Sequence, residues 1–93
     1  MKYEWDEKKY SSNFKKHGIR FDDAIDIFKD PHQLEYQDEV FPERIICIGF
    51  SFHRGVLVVV IEESEKAIRI ISARKATNRE EKDYAQRIRN KKI

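Results

Sequence analysis

The sequence predicts an α+β domain: a small antiparallel sheet of three to four strands, with two helices before it and one after it, packed on one side of the sheet. Three observations carry this. Apolar residues recur at helical spacing in the first 28 residues and are interrupted by Gly18 and by Pro31. Residues 44–74 are rich in β-branched side chains and broken by two short polar segments. Thr77-Asn78-Arg79-Glu80 then has the form of a capping box that opens a last helix.

The first helix is expected over residues 5–17. Asp6 and Glu7 sit where the helix dipole favours carboxylates, and Lys15, Lys16 and His17 where it favours cations. Gly18 follows at the position that calls for a left-handed residue. Tyr10, Phe14 and His17 form one stripe, and Lys9, Asn13 and Lys16 a polar stripe beside it. The second helix runs from Phe21 to Phe28, with Phe21, Ala24, Ile25 and Phe28 inward and Asp22, Asp23 and Asp26 outward. Asp30-Pro31 stops it, because proline disfavours the helical conformation in the residue before it. Residues 31–43 show no period and read as a loop with room for a short strand at 34–36.

Three strands follow. Residues 44–52 alternate, with Ile46, Ile48, Phe50 and Phe52 on one face and Ile45, Cys47, Gly49 and Ser51 on the other. His53-Arg54-Gly55 is a turn. Val56–Ile61 is an unbroken apolar run, as in a strand covered on both faces. Glu62–Lys66 is a polar turn, and Ala67–Arg74 is the third strand. Two short connections in succession predict an antiparallel meander. The last helix has only Tyr84, Ala85 and Ile88 as an apolar stripe before Ile93, which predicts loose docking and a frayed, basic end.

Ninety-three residues, 40% hydrophobic and 39% charged, make one domain spanning 1–93. Cys47 is the single cysteine, so no internal disulfide and no cysteine-based zinc site can form. The longest apolar run is the six residues Val56–Ile61, too short for a transmembrane helix or a signal peptide. Both point to a cytoplasmic protein with no membrane partner. The net charge of +2 is unevenly spread. Residues 1–43 hold 7 Lys/Arg against 11 Asp/Glu, residues 44–73 hold 4 against 3, and residues 74–93 hold 8 against 3. A basic C-terminal segment suits an anionic partner, and suits equally a solvated helix that happens to be basic.

Gly-rich phosphate loops, HExxH and EF-hand spacings are absent, and the glycines at 18, 49 and 55 are isolated. His17, His32 and His53 are scattered, so no metal site or cofactor is predicted. What remains is a set of cations: Lys9, Lys16 and His17 from the first helix, Arg44 at the start of the first long strand, and Arg69 and Arg74 on the last. With the strands antiparallel, Arg44 and Arg74 are expected near one edge with one strand between them. Arginine presents a fixed fork of donors that matches a phosphodiester. RNA carries its own nucleophile, the 2′-OH, so a nuclease acting on it needs a base, an acid and cations. Each residue also has a purely structural reading. Arg69 can pair with a carboxylate across the sheet, and Arg74 can bond a carbonyl. His17 suits a helix C-terminus, Ser72 suits a strand end, and Lys9 and Lys16 suit solvent.

Trp5-Asp6-x-x-Lys9-x-x-x-Asn13-x-x-Lys16-His17-Gly18-Ile19-x-Phe21-x-x-Ala24 resembles the N-terminal signature of the BrnT toxins. Glu43-Arg44 with Gly49 resembles their middle element, and Arg69-Ile70-Ile71-Ser72-Ala73-Arg74-x-Ala76-Thr77-x-x-Glu80-x-x-x-Tyr84 their C-terminal signature. The resemblance spans residues 5–84 and implies a RelE-like ribonuclease toxin of a type II toxin–antitoxin module, acting on RNA without a metal or other cofactor. It also implies a BrnA-like antitoxin with a DNA-binding domain, through which alone the complex reaches operator DNA. Carried over by position, Arg44, Arg69 and Arg74 would stabilise the scissile phosphate. Lys9, Lys16 and His17 would shuttle protons or bind phosphate, with Ser72 and Tyr84 as substrate contacts. Histidine is the residue type in this set whose ordinary pKa, about 6.5, suits a base at neutral pH. Glu80 and Tyr84 also have structural readings, in the cap and in the stripe of the last helix. The alternative is a non-catalytic basic module that docks an antitoxin or nucleic acid.

One difficulty is visible in advance. In a regular strand Arg69 shares a face with Ile71 and Ala73, and Arg74 with Ile68, Ile70 and Ser72. The two arginines then point to opposite sides. The expected resolution is that Arg74 leaves the strand at the junction with the last helix, while Arg69 lies on the open sheet face.

Overall fold

The computed structural model describes residues 2–90. Their elements, in order, are strand β1 (Lys2–Glu4), helix α1 (Glu7–His17), helix α2 (Phe21–Ala24) continuing as a 3-10 helix (Ile25–Lys29), and strands β2 (Leu34–Gln37), β3 (Arg44–Ser51), β4 (Gly55–Glu63) and β5 (Ala67–Lys75). Helix α3 (Asn78–Asn90) closes the order. The described residues form one five-stranded sheet, β1-β5-β4-β3-β2. β2 through β5 pair antiparallel, whereas β1 pairs parallel to β5, so the sheet is mixed.

Two expectations about the strands are corrected here. β1 escapes sequence reading because three residues carry no period and their partner lies more than 60 positions away. β2 is real and forms the far edge, pairing Leu34 with Ile48 and Tyr36 with Ile46. β4 runs two residues past the expected Ile61, because Glu62 and Glu63 still pair with Arg69 and Ile68.

The helices do not lie on one side. Cys47, Leu57, Val59, Ile61, Ile70 and Ala73 project to one face and are covered by Ile19, Phe21, Ala24 and Ile27. Ile48 and Val58 project to the other, where Tyr84 of α3 packs on them with Ile88 and Leu34 at the margin. This follows from the pleat: β3 and β4 are apolar at successive positions, so both faces need cover. Cys47 is buried, and burial chiefly, with the fields of Glu35 and Glu63 adding, pushes its thiol up to about 12, so it is an inert core residue. Gly49 is required on the first face, since a Cβ there would lie 2.9 Å from the Cβ of Ile27.

Helix α1 is capped at both ends as its sequence dictates. The Asp6 carboxylate accepts from the N–H of Lys8 at 3.1 Å, and Gly18, at φ 70°, donates its N–H to the Phe14 carbonyl at 2.8 Å. Of the expected Tyr10–Phe14–His17 stripe, only Tyr10 packs against the core. Phe14 is 45% exposed and His17 is exposed, whereas Asn13 is the buried residue of the helix. The second expected helix tightens to 3-10 geometry from Ile25 and ends at Asp30, whose backbone is extended (φ −79°, ψ 116°). The capping box of α3 forms as read: Glu80 accepts from the Thr77 N–H at 2.8 Å, and the Glu80 N–H donates to the Thr77 hydroxyl at 3.2 Å. The frayed end expected of this helix falls in part on residues 91–93, outside the described residues.

Candidate functional site

The site is assembled at the free edge of β5. β1 covers only the first three residues of that strand, Ala67–Arg69. From there to Lys75 the outer edge of β5 has no strand beside it, and α1 takes the place of one. The buried side-chain amide of Asn13 accepts from the N–H of Ala73 at 3.1 Å and donates to its carbonyl at 2.8 Å. One amide thus supplies both hydrogen bonds that a neighbouring strand would supply at that residue.

Pinning α1 there opens a groove of about 370 Å³ between the helix and the strand. It is lined by Lys9, Ser12, Asn13, Lys16 and His17 from α1 and by Ile71, Ser72 and Arg74 from β5. Five of the eight residues singled out from the sequence meet here: Lys9, Lys16, His17, Ser72 and Arg74. No carboxylate is among the lining residues.

A β-bulge aims the strand's contribution. Val60 pairs with Ser72 and Ile61 with Ile70, leaving Ile71 without a partner on β4. The extra residue resets the alternation. Arg69, opposite Glu62, and Arg74, opposite Val58, therefore lie on the same face. The expectation that Arg74 must leave the strand to escape the opposite face is corrected: β5 continues through Lys75, and the strand solves the problem with a register fault.

Arg74 is held by a two-pronged ion pair. Nη1 and Nη2 donate to the two carboxylate oxygens of Glu80 at 2.8 Å each, and Nη1 also donates to the Lys75 carbonyl at 3.1 Å. Three of its five N–H donors are thereby used, leaving two. Glu80 is held from the other side by the Thr77 N–H. These bonds, the Arg74 fork foremost, bring its carboxyl down to about 2 from an ordinary 4.5. A carboxyl depressed by folding stabilises the protein above its unfolded value, and that stability is lost as pH falls towards the folded value. Glu80→Gln is therefore expected to unfold with a flatter acid limb than the parent between pH 4.5 and 2, by about 1 kcal/mol once solvent screening of this partly exposed pair is counted. Urea titrations across that range check it, and parallel curves would refute it.

The other three predicted residues lie elsewhere. Arg44 is not at the edge shared with Arg74. β3 and β5 both run antiparallel to β4 and hence parallel to each other, so the start of one and the end of the other are at opposite ends of the sheet. Along β4 the two rows are four residues apart, roughly 13 Å. Arg44 pairs with Glu62 at 3.3 Å and lies over the Phe41 ring, 4.4 Å from its centroid. Arg69, half exposed, pairs with Glu4 at 3.3 Å. Tyr84 is buried and donates its hydroxyl to the carboxylate of Asp30. Burial, then Asp30, raises its pKa. Burial alone would raise the Asp30 carboxyl too, but the Tyr84 hydroxyl and the N–H groups of His32 and Phe50 outweigh it and hold that carboxyl below its ordinary range. Tyr84 thus locks α3 to the end of the 3-10 helix.

Sequence reasoning assigned no role to Asn13 or Ser12. Asn13 was visible as a polar residue in line with Lys9 and Lys16 and as a position of the N-terminal signature; the missing strand it replaces was not.

This architecture has known counterparts. The family described as "Ribonuclease toxin, BrnT, of type II toxin-antitoxin system" matches residues 5–80. The chain belongs to the BrnT family. Its fold is similar to the 1.1 Å crystal structure of the Brucella abortus ribonuclease toxin BrnT, with a TM-score of 0.69 and 26% identity, over 84% of this chain and 99% of that one. Individually curated proteins include no match. Placed on this BrnT-family chain, the matched segment begins at Trp5, ahead of α1, and ends at Glu80, the partner of Arg74, so every element of the groove lies inside it.

Proposed function

We propose that this chain is a toxin that cuts RNA in the groove between α1 and β5, using the RNA's own 2′-OH as nucleophile. The observation that carries the proposal is the convergence of Lys9, Lys16, His17 and Arg74 on one groove free of carboxylates. Backbone phosphate is the natural occupant of such a surface. In this reading His17, exposed at the end of α1, takes the proton from the 2′-OH. The 2′-oxygen forms a bond to phosphorus, and the bond from phosphorus to the 5′-oxygen breaks. Lys9 or Lys16 returns a proton to the departing oxygen. The two spare N–H groups of Arg74 steady the charge that grows on the phosphoryl oxygens. Ser72 is placed to bond a phosphate or ribose oxygen. In this reading the step needs no metal. A type II toxin implies an antitoxin; a BrnA-like one would carry the DNA-binding domain and connect the complex to operator DNA.

The test is expression of the chain alone, followed by cleavage of defined RNAs by the purified protein in EDTA. Growth arrest and fragments ending in 2′,3′-cyclic phosphate are expected, with no cut where the scissile nucleotide is 2′-deoxy. Cleavage of the deoxy-substituted strand would overturn the nucleophile assignment. Absence of cleavage of any RNA would make the groove a binding surface.

A further inference from the structure

The sheet face that carries Ser72 and Arg74 also carries, beyond α3, a second surface of opposite sign. Its residues fall in rows across the strands. Leu34, Ile48 and Val58 lie in the row that α3 covers. The next row, Tyr36–Ile46–Val60–Ser72, remains partly exposed beside α3, and the row after it is Arg44–Glu62–Arg69, already paired within itself or to Glu4. Between α3 and that charged row lies a trough of about 790 Å³. Its floor holds Ile46 and the ring of Tyr36, which is 46% exposed. Its walls hold Glu39 on one side and Glu80 and Asp83, one turn apart on α3, on the other. No Lys, Arg or His lines it. Glu80 is committed to Arg74, but Glu39 and Asp83 have no cationic partner among the described residues.

We propose that this trough seats a helix of a partner protein with an apolar stripe flanked by Lys and Arg, and that the partner is the antitoxin. An apolar floor with unpaired carboxylates at both ends selects for that chemistry and rejects nucleic acid, whose phosphates would meet like charge. The dimensions suit a helix. The partly exposed row crosses four strands, roughly 14 Å, the length of about nine or ten helical residues. A helix beside α3 at a packing distance of about 8–10 Å lies over the space between the Ile46 row and the Arg44 row. The naming of the partner rests on the toxin reading above; the basic-helix chemistry rests on the trough alone. A helix seated over Tyr36, Ile46 and Val60 leaves Lys9, Lys16 and His17 of α1 uncovered, and only the last residue of the row, Ser72, also lines the groove.

The experiment is calorimetric titration of the purified chain with the antitoxin encoded beside it, for the parent, for Glu39→Lys/Asp83→Lys, and for Lys9→Glu/Lys16→Glu. The first double variant is expected to bind the antitoxin about a hundredfold more weakly. Its RNA cleavage and urea midpoint should stay near the parent's, because both positions are exposed and outside the groove. The second should keep its antitoxin affinity. Amide exchange on complex formation should slow in β2 and α3. Unchanged antitoxin affinity in the first double variant overturns the proposal, as does loss of that affinity in the second, or loss of RNA binding in the first. A chain that binds antitoxin through the trough but cleaves no RNA would sink the nuclease reading and leave this one standing.

Discussion

Arg74→Ala is expected to lower the rate of RNA cleavage by about a hundred- to a thousandfold, the effect of removing a donor aimed at developing phosphoryl charge. Arg44→Ala and Arg69→Ala are expected to change it by less than roughly threefold. All three arginines match the family signature by position, so the sequence treats them alike. The fold separates them. Arg74 lines the groove with Lys9, Lys16 and His17, whereas Arg44 and Arg69 lie in a row roughly 13 Å further along the sheet, neutralised by Glu62 and Glu4. Arg74→Ala also releases Glu80 beside the groove, so the double variant Arg74→Ala/Glu80→Gln is needed. If the double variant regains parental rates, Arg74 serves to neutralise Glu80 and does not touch phosphate. If it stays slow, and Arg74→Lys is intermediate, the fork itself contacts substrate, since lysine keeps the charge and loses the geometry. Single-turnover cleavage of one defined RNA by each variant gives the comparison.

Asn13→Ala is expected to cost about 2–4 kcal/mol of stability, because it strands a buried N–H and a buried carbonyl of Ala73 together. For a domain of this size that corresponds to a fall in Tm of roughly 10–20 °C. Asn13→Asp keeps the acceptor for the Ala73 N–H but sets a carboxylate against its carbonyl, so it should not rescue. Urea and thermal unfolding measure both. A loss below about 1 kcal/mol would mean that water completes the edge of β5 in place of the amide. The same substitution should reduce cleavage beyond its effect on the folded fraction, since Asn13 is the bond that sets α1, and with it Lys9, Lys16 and His17, against Arg74. Asn13 is thus a positioning residue for the groove.

Helix α1 was legible from its caps, and the meander of β3 to β5 from alternation and two short turns, because both signals are local. The capping box at Thr77 and Glu80 was legible for the same reason, but its use was not. Glu80 reads as a cap residue, and only the fold shows that the same carboxylate holds Arg74. Tyr84 kept its structural reading: it packs on Ile48 and Val58 and bonds Asp30. The short parallel strand β1 left no trace, since its partner is remote and its length holds less than two periods of alternation.

What the sequence determined by itself is the main helices and the meander, the family signature and the identity of the cations. Those follow from spacing and chemistry within a dozen residues. What only the tertiary structure decided is which cations meet. Lys9, Lys16 and His17 meet Arg74 because β1 is short enough to leave an edge for Asn13, and because one unpaired residue, Ile71, turns Arg74 to the side of Arg69. A register fault and an unfilled edge are properties of pairing between distant segments. Counting alternate residues along one strand assumes that neither is present.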